Sequence, residues 1–557
     1  MKPVWLQDYP EAVPHSIDYR EIPLYQMLDE AARDFPEGRA LSFLGKRMTF
    51  FEVQQDALRL STILREAGVE KGDRVGIMLP NCPQYMISYF AVLYAGGTVV
   101  QINPLYTERE LEQILLDSGA TRLITLDLLY PKSCRIRKAA GLTTVITTSI
   151  ADYLPFPKNK LYPIKSRKDN NIIIDTTGSV PFLSLRGTEP ADAVAVDPKE
   201  DVAVLQYTGG TTGLPKGVML THFNLTANVQ QIDEWFYKYT RGDGRKLLAV
   251  VPYFHVYGMT CNLNFGMFNA YEQIMLPKFE IDQVLKTIDK EKPHLFPGAP
   301  TMYVGLLNHP KLKKYDLSSI EACISGSAPL PIEVQEKFER ITGGRIVEGY
   351  GLSETSPVTH TNCIWDKRET GSVGIPVPDT YAKVVLGDGE TEAEVGEIGE
   401  IAVKGPQVMK GYWKRPEDTT AVLRDGWLFT GDLGYMGEDG FFHIVDRKKD
   451  LIIASGFNIY PREVEEVLYE HPAVKEAVVI GVPDPYRGET VKAFIVLKDE
   501  TSVSTDELDV FCRERLASYK VPRSYEFRAE LPKTFVGKIL RRVLVEEERA
   551  KLLEESS

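Results

Sequence analysis

Between Thr208 and Lys216 the chain reads Thr-Gly-Gly-Thr-Thr-Gly-Leu-Pro-Lys, which places hydroxyls, unrestricted glycines and one cation in a single short run. Gly209, Gly210 and Gly213 permit positive φ, so successive backbone N–H groups can turn toward one anion. Thr208, Thr211 and Thr212 add hydroxyl donors and Lys216 adds a point charge, a set suited to a polyphosphate. The run is not a Walker A loop, because Pro215 stands where that pattern needs Gly and Gly217 where it needs Ser or Thr. On its own it would serve equally as a tight turn.

Further residues with chemical potential follow at wide intervals. Pro252-Tyr-Phe-His255-Val-Tyr-Gly258 offers a histidine in an apolar setting, where a satisfied core imidazole is the commoner outcome. Gly326 lies in Ser325-Gly-Ser-Ala, and Gly349-Tyr-Gly-Leu-Ser-Glu354 brings Tyr350, Ser353 and Glu354 together; the tyrosine can stack on a base and the carboxylate can hold a metal or cap a turn. Trp427-Leu-Phe-Thr-Gly-Asp432 ends in an acid able to accept two ribose hydroxyls, although Asp after Gly is also ordinary turn chemistry. Asp446-Arg-Lys-Lys-Asp450 is a charge cluster between apolar runs, and Pro532-Lys-Thr-Phe-Val-Gly-Lys538 is a glycine-containing loop carrying a lysine.

The elements that must position these residues follow an α/β pattern. Val202 to Tyr207 reads as a strand feeding the first loop, and Thr221 to Phe236 as a helix whose N-terminus is expected to point back at the bound phosphates. Upstream, Leu24, Met27, Leu28, Ala31 and Phe35 recur at helical spacing; Arg74 to Leu79, Tyr85 to Ala95 and Thr98 to Ile102 form a strand–helix–strand unit. Such alternation predicts mainly parallel sheets flanked by helices. The stretch from 157 to 198 is polar and reads as an irregular surface excursion. From about 379 to 446 short strands separated by Gly and Asp suggest a small β subdomain. A compact helix–strand–strand–helix pattern then runs from Pro461 to Ala517, so a hinge is expected at the charge cluster, dividing the chain into 1–448 and 449–557.

Composition narrows the classes. A chain of 557 residues with 43% apolar content buries a large core, and a net charge of −13 argues against nucleic acid as a partner. Six cysteines scattered without a paired spacing point to a reducing compartment, and Asp8 and Glu11 replace the basic and apolar regions of a signal peptide; a cytoplasmic location is expected. The charge-free run from Asn81 to Thr107 is divided by Gly96-Gly97 into pieces too short to span a membrane.

Taken in order, Tyr207-Thr-Gly-Gly-Thr-Thr-Gly-Leu-Pro-Lys-Gly217, Gly349-Tyr-Gly-Leu-Ser-Glu354, Trp427-Leu-Phe-Thr-Gly-Asp432, Asp446-Arg-Lys-Lys-Asp450 with Gly456-Phe-Asn-Ile-Tyr-Pro461, and Pro532-Lys-Thr-Phe-Val-Gly-Lys538 resemble the ordered signature of the adenylate-forming enzymes. The resemblance covers nearly the whole chain. It implies a large N-terminal α/β domain, a small mobile α/β C-terminal domain and a site between them. It implies that ATP and a carboxylate give an acyl-adenylate and pyrophosphate, and that coenzyme A then displaces AMP. By similarity the loop from Thr208 to Lys216 holds the β- and γ-phosphates, Glu354 with Thr208 holds Mg²⁺, Gly326, Gly349 and Tyr350 frame adenine, and Asp432 and Arg447 hold the ribose. Lys538 bridges the attacking carboxylate and the α-phosphate, His255 borders the acyl carboxylate, Lys449 is the hinge, and Gly456 lets pantetheine pass.

The Thr-Gly-Gly-Thr-Thr-Gly form is similar to that of bacterial long-chain fatty acyl-CoA synthetases, and Gly351 stands where short-chain relatives carry a pocket-closing Trp, so a medium- to long-chain fatty acid is expected. An aryl or hydroxycinnamoyl acid, or a non-turnover nucleotide-binding relative, is the alternative. The acid can arrive from a bilayer and peripheral membrane contact stays open, although the sequence offers no basic amphipathic helix as an anchor. The sequence carries no feature that fixes an oligomeric state.

Overall fold

A computed structural model describes residues 3–162, 175–208, 215–328, 330–387, 389–454, 457–484, 487–499, 501–534 and 538–555. Gly209, Gly210, Thr211, Thr212, Gly213 and Gly456 therefore lie outside the described residues. The chain divides into two compact units, one of Trp5–Tyr381 with Lys404–Leu428, the other of Met1–Val4, Ala382–Val403 and Phe429–Ser557.

Among the described residues the parallel strands of the larger unit fall into two sets, the second continued antiparallel by Val358–Thr361 and Ile375–Pro376. In the first, Thr98–Gln101, Arg74–Met78, Arg122–Leu126, Thr144–Thr148 and Val180–Pro181 run parallel to Val202–Thr208, whose other edge pairs antiparallel with Lys216–Thr221 and then Gly411–Tyr412. In the second, Arg39–Phe43, Glu272–Met275 and Lys246–Ala249 are parallel, and Leu295 bridges them to the parallel pair Ala322–Ser325 and Arg345–Gly351. The helix Pro83–Tyr94 is buried on every face, which explains why its sequence is apolar all round without being a membrane span. Among the described residues no helix is long and apolar enough to cross a membrane. The mainly parallel, helix-flanked architecture is the expected one.

Two local expectations change. The loop after Val202–Thr208 does not lead into a helix; it closes a hairpin, with Thr208 opposite Lys216 and Val202 opposite Thr221. The following helix, His222–Trp235, therefore starts at the far end of the strand, roughly 20 Å of β-ladder from the loop. Its N-terminus is occupied by its own capping box, Thr221 Oγ1 accepting from Asn224 N at 3.1 Å and Asn224 Oδ1 from Thr221 N at 3.0 Å. It cannot serve the phosphates as expected. The 157–198 excursion is also less irregular than its composition suggests: Val180–Pro181 extends the first sheet, and the turn Phe182–Gly187 buries Phe182 and Leu185.

In the smaller unit, Tyr381–Val385, Gly399–Lys404, Trp427–Met436 and Phe442–Arg447 supply the expected β strands. A separate sheet pairs Val474–Asp484 with Gly488–Leu497, flanked by the helices Pro461–Glu470 and Thr505–Arg513. Ile452, Val464, Leu468, Val479, Ile495, Leu508 and Val521 form its core, so the segment beyond 449 has an apolar centre of its own. The compact unit nonetheless takes in most of the β subdomain, a cut that differs from the one drawn at the charge cluster.

Because the Thr221 cap is remote from the loop, Thr221→Val should lower stability by about 1 kcal/mol in thermal or urea unfolding. The same variant should bind ATP with unchanged affinity; a parallel loss of affinity would show that the helix N-terminus reaches the nucleotide after all.

Candidate functional site

In the larger unit the candidate residues gather at the carboxyl ends of parallel strands, where open α/β sheets admit ligands. Thr208 ends its strand and Lys216 begins the return strand directly opposite. The hairpin is locked from three sides: Tyr207 Oη donates to Asp117 Oδ2 at 2.7 Å, Trp413 N donates to Gly217 O at 2.7 Å, and a Cβ on Gly217 would press to 3.1 Å from the Tyr207 ring.

Lys216 Nζ donates to Asp418 Oδ1 at 2.6 Å and lies 5.1 Å from the centre of the Tyr412 ring. The same Tyr412 donates its hydroxyl to Glu354 Oε1 at 2.8 Å. Burial, followed by the charge of Glu354, raises the Tyr412 pKa, which keeps the phenol protonated as a donor. Glu354 is further held through its backbone, its carbonyl accepting from Met409 N at 2.8 Å. Tyr412 and Asp418 carry no local signature that links them to Lys216 and Glu354. Only the pairing of Gly411–Tyr412 with Met219 and Val218 brings them there.

Beside this group, Ser325 and Glu348 are paired across adjacent strands, so Gly326 and Gly349 emerge side by side. A Cβ on Gly326 would sit 3.4 Å from the Tyr257 ring, and Tyr257 Oη donates to Ile324 O at 2.6 Å. Tyr350 is half-buried and its ring lies 5.7 Å from that of His360, leaving part of it open for stacking. Ser353 opens the short turn Ser353–Thr355 that carries Glu354. His255 stands at the start of Val256–Gly258 with Nδ1 accepting from Tyr257 N at 3.3 Å. Gln206 Nε2 donates to Phe254 O at 3.1 Å, tying this corner to the phosphate-loop strand. Gly351 has a backbone reason for being glycine, since a Cβ there would lie 1.8 Å from the Pro357 carbonyl oxygen. Its identity is therefore required by packing and is a poor witness to acyl-pocket size.

In the smaller unit, Asp432 and Arg447 face each other across two strands and form an ion pair, Arg447 Nε to Asp432 Oδ1 at 2.6 Å. Asp432 is almost fully buried, so its charge needs this partner. Asp446 is also buried and accepts from Arg447 N at 2.7 Å and Arg462 N at 2.8 Å, fixing the entry of the Pro461–Glu470 helix. Lys449 is exposed in the turn that follows. Lys538 is braced by a reciprocal pair with Thr534: Lys538 N donates to Thr534 Oγ1 at 3.1 Å, and Thr534 N donates to Lys538 O at 2.7 Å. Although the residue is exposed, its pKa is pulled down to about 8. Desolvation by the surrounding protein contributes most, the cations of Arg447 and Lys449 add to it, and Asp432 and Asp450 oppose. Asp432, Arg447, Lys449 and Lys538 thus belong to one electrostatic group.

A family model described as AMP-binding enzyme matches residues 28–413, and one described as AMP-binding enzyme C-terminal domain matches 463–538. A long-chain-fatty-acid–CoA ligase of Bacillus subtilis is 57% identical, covering 98% of each chain. A feruloyl-CoA synthase of Amycolatopsis is 38% identical over 92% of this chain and 96% of its own. Among solved structures, an anthranilate CoA ligase in complex with anthranoyl-AMP matches with a TM-score of 0.85 at 28% identity, covering 96% of this chain and 98% of that one. ATP-bound MatB from Rhodopseudomonas palustris matches with a TM-score of 0.82 at 30% identity, covering 94% and 99%.

If neighbouring cations depress Lys538, Arg447→Met should raise its pKa toward the ordinary lysine value, since the variant also frees Asp432 to favour the ammonium. The check is the pH dependence of Lys538 labelling by an amine-reactive reagent, followed by mass spectrometry. The midpoint is expected near 8 in the parent chain and higher in the variant; an unmoved midpoint would remove Arg447 as a cause.

Proposed function

This chain belongs to the AMP-binding enzymes, and from that premise we propose how its residues divide the labour of a two-step ligation. The protein is an AMP-forming acid–thiol ligase that activates a long-chain fatty acid with ATP and Mg²⁺ and transfers the acyl group to coenzyme A. The observation that carries this is near-full-length similarity to the Bacillus subtilis ligase, well above that to the feruloyl-CoA synthase.

In the first step a carboxylate oxygen attacks the α-phosphorus of ATP, the bond to the bridging oxygen breaks, and pyrophosphate leaves. Two anions must meet, so positioning and neutralisation dominate. We assign Lys216 and the loop from Thr208 through Gly209, Gly210, Thr211, Thr212 and Gly213 to the departing phosphates. Lys216 is supported in that role by its present partner: a partly solvated pair such as Lys216–Asp418 is worth about 1 kcal/mol and is exchangeable for a phosphate. Glu354 fits Mg²⁺ because that ion takes one or two carboxylates together with substrate phosphates, and Tyr412 already fixes one carboxylate oxygen. Thr208 is placed as the second protein ligand. Tyr350, Ser353, Gly326 and Gly349 are assigned to adenine, Asp432 and Arg447 to the ribose, and His255 to the border of the acyl carboxylate.

Lys538 is assigned to the charge that develops at the α-phosphate. A donor acting on transition-state charge contributes roughly 3–4 kcal/mol, so its loss costs about a hundredfold or more. In the second step the thiol sulfur attacks the acyl carbonyl and AMP leaves. Lys449 is the proposed pivot for that step, Gly456 the proposed passage for pantetheine, and the functional boundary falls between 448 and 449. The separate core beyond 449 supports that boundary.

Pyrophosphate release measured with acetate, octanoate, palmitate, benzoate and coumarate tests the substrate assignment: the fatty acids longer than acetate should dominate, and turnover of aromatic acids alone would overturn it. Lys538→Ala should lose adenylation yet convert preformed acyl-adenylate to thioester, and equal loss of both half-reactions would refute the division of labour. The two steps should also differ in pH dependence. A depressed lysine pKa means that the cation is present below about 8 and lost as pH rises through it, so adenylation should fall there. Thioester formation, which needs thiolate, should not fall over that range. Lys538→Arg should abolish the decline, because guanidinium stays protonated.

A further inference from the structure

The helix His222–Trp235 carries carboxamides where a buried helix face is ordinarily apolar. Asn224, Asn228 and Gln231 recur at intervals of four and three, which sets them on one face, and Asn228 and Gln231 are fully buried. Buried polar groups need partners, and these find theirs in the main chain against which the helix packs. Asn228 is committed to one residue: its Nδ2 donates to Val358 O at 2.7 Å and its Oδ1 accepts from Val358 N at 3.0 Å. The carboxamide thus does for Val358 what a neighbouring strand would do, and it is fixed in turn by a second Nδ2 bond to Gln231 Oε1 at 3.0 Å.

Val358 begins the strand that leaves the turn carrying Glu354. Between the two, Ser356 sits at φ +74°, in the left-handed region that its Cβ disfavours. Such a conformation persists where its surroundings enforce it, and strained backbone of this kind gathers at functional sites. Here the surroundings are hydrogen bonds closed off from solvent. Thr260 Oγ1 donates to Ser356 O at 2.5 Å, and Ser356 Oγ donates to Gln407 O at 2.9 Å, with all three residues fully buried. Thr260 belongs to the π-helical stretch Met259–Asn264, four residues beyond the start of Val256–Gly258. Thr260 at the turn and Asn228 just after it therefore grip the main chain on the C-terminal side of Glu354, as Tyr412 grips its carboxylate.

We propose that Asn228 and Thr260 are positioning residues for Glu354, holding Ser356 in its left-handed conformation so that the carboxylate stays where Mg²⁺ needs it. This role rests on the assignment of Glu354 to the metal made above. Both residues act through the turn and not on the ion. Groups that orient a metal ligand from outside the coordination shell typically set metal affinity by about tenfold or more. The helix after the phosphate loop, expected to serve the nucleotide through its N-terminus, then serves it through its flank.

Titration calorimetry of the full chain with α,β-methylene-ATP, with and without Mg²⁺, measures how much the ion tightens the nucleotide. Hydrogen exchange of the nucleotide-free chain measures the hold on residues 353–358. Asn228→Ala should cut the Mg²⁺-dependent gain in affinity about tenfold, leave the Mg²⁺-free affinity unchanged, and speed exchange across 353–358 about tenfold. Thr260→Val, which keeps the side-chain shape, should act in the same direction and carries the test if Asn228→Ala does not fold. Gln335→Ala removes a bond of the same kind, from Nε2 to Ile346 O at 3.0 Å, at the far end of the strand Arg345–Gly351. It should lower Tm as Asn228→Ala does and change neither readout. Glu354→Gln should abolish the Mg²⁺-dependent gain; its retention there would overturn the metal assignment alone, because exchange of the nucleotide-free chain reads the hold on the turn directly. An unchanged gain and unchanged exchange in Asn228→Ala and Thr260→Val, or equal effects from Gln335→Ala, would overturn the positioning role.

Discussion

The antiparallel pairing of Val202–Thr208 with Lys216–Thr221 is the constraint on which the larger unit's chemistry rests. One strand is anchored in the parallel sheet through Thr98–Gln101, and the other receives Gly411–Tyr412 on its free edge. The register fixes both ends of the intervening loop and puts Lys216 beside Tyr412. A slip of one residue would turn every side chain of the return strand to the opposite face, moving Lys216 away from Asp418 and Tyr412 together. Tyr207 on Asp117 and Trp413 on Gly217 oppose such a slip, and Asp117 is itself held by Arg415 at 2.7 Å.

The smaller unit solves a different electrostatic problem, the crowding of cations around buried acids. Arg447 neutralises Asp432, and Arg541 is paired with Glu465 at 2.7 Å while standing near Asp446 and Asp450. Burial raises the Asp446 carboxyl, and its two backbone donors and Arg541 counteract that rise. Lys538 enters this group with carboxylates already committed to arginines, so its ammonium feels more repulsion than compensation. Its low pKa follows first from desolvation and then from the arrangement of its charged neighbours.

Much of this was legible in the residues because motif and strand end coincide. Tyr207-Thr208 and Ser325-Gly326 each mark the carboxyl end of a strand, where β-branched or apolar residues give way to small ones, and Glu348-Gly349 makes the same change inside Arg345–Gly351. The return strand Lys216–Thr221 was hidden because a strand, a glycine-rich loop and a helix in succession suggest direct connection, and a short extended segment between loop and helix has no periodicity strong enough to declare itself. Tyr412 and Asp418 were hidden for another reason: they reach Glu354 and Lys216 from 58 and 202 residues away, a proximity that only sheet pairing creates. Asp432 and Arg447 were read as separate contacts for one sugar, and their cross-strand register makes them first a pair.

Tyr412 touches Lys216 with its ring face and Glu354 with its hydroxyl. With Lys216 held by Asp418 and Glu354 by the phenol, neither charge is spent on the other. The phenol acts as an insulator between them: rigid, with two torsions to fix, and polarised so that each end satisfies the charge it meets. Lys216 keeps Asp418 and Glu354 keeps the phenol, a stored separation of charge that an incoming ligand bearing both signs can take over by exchanging those partners.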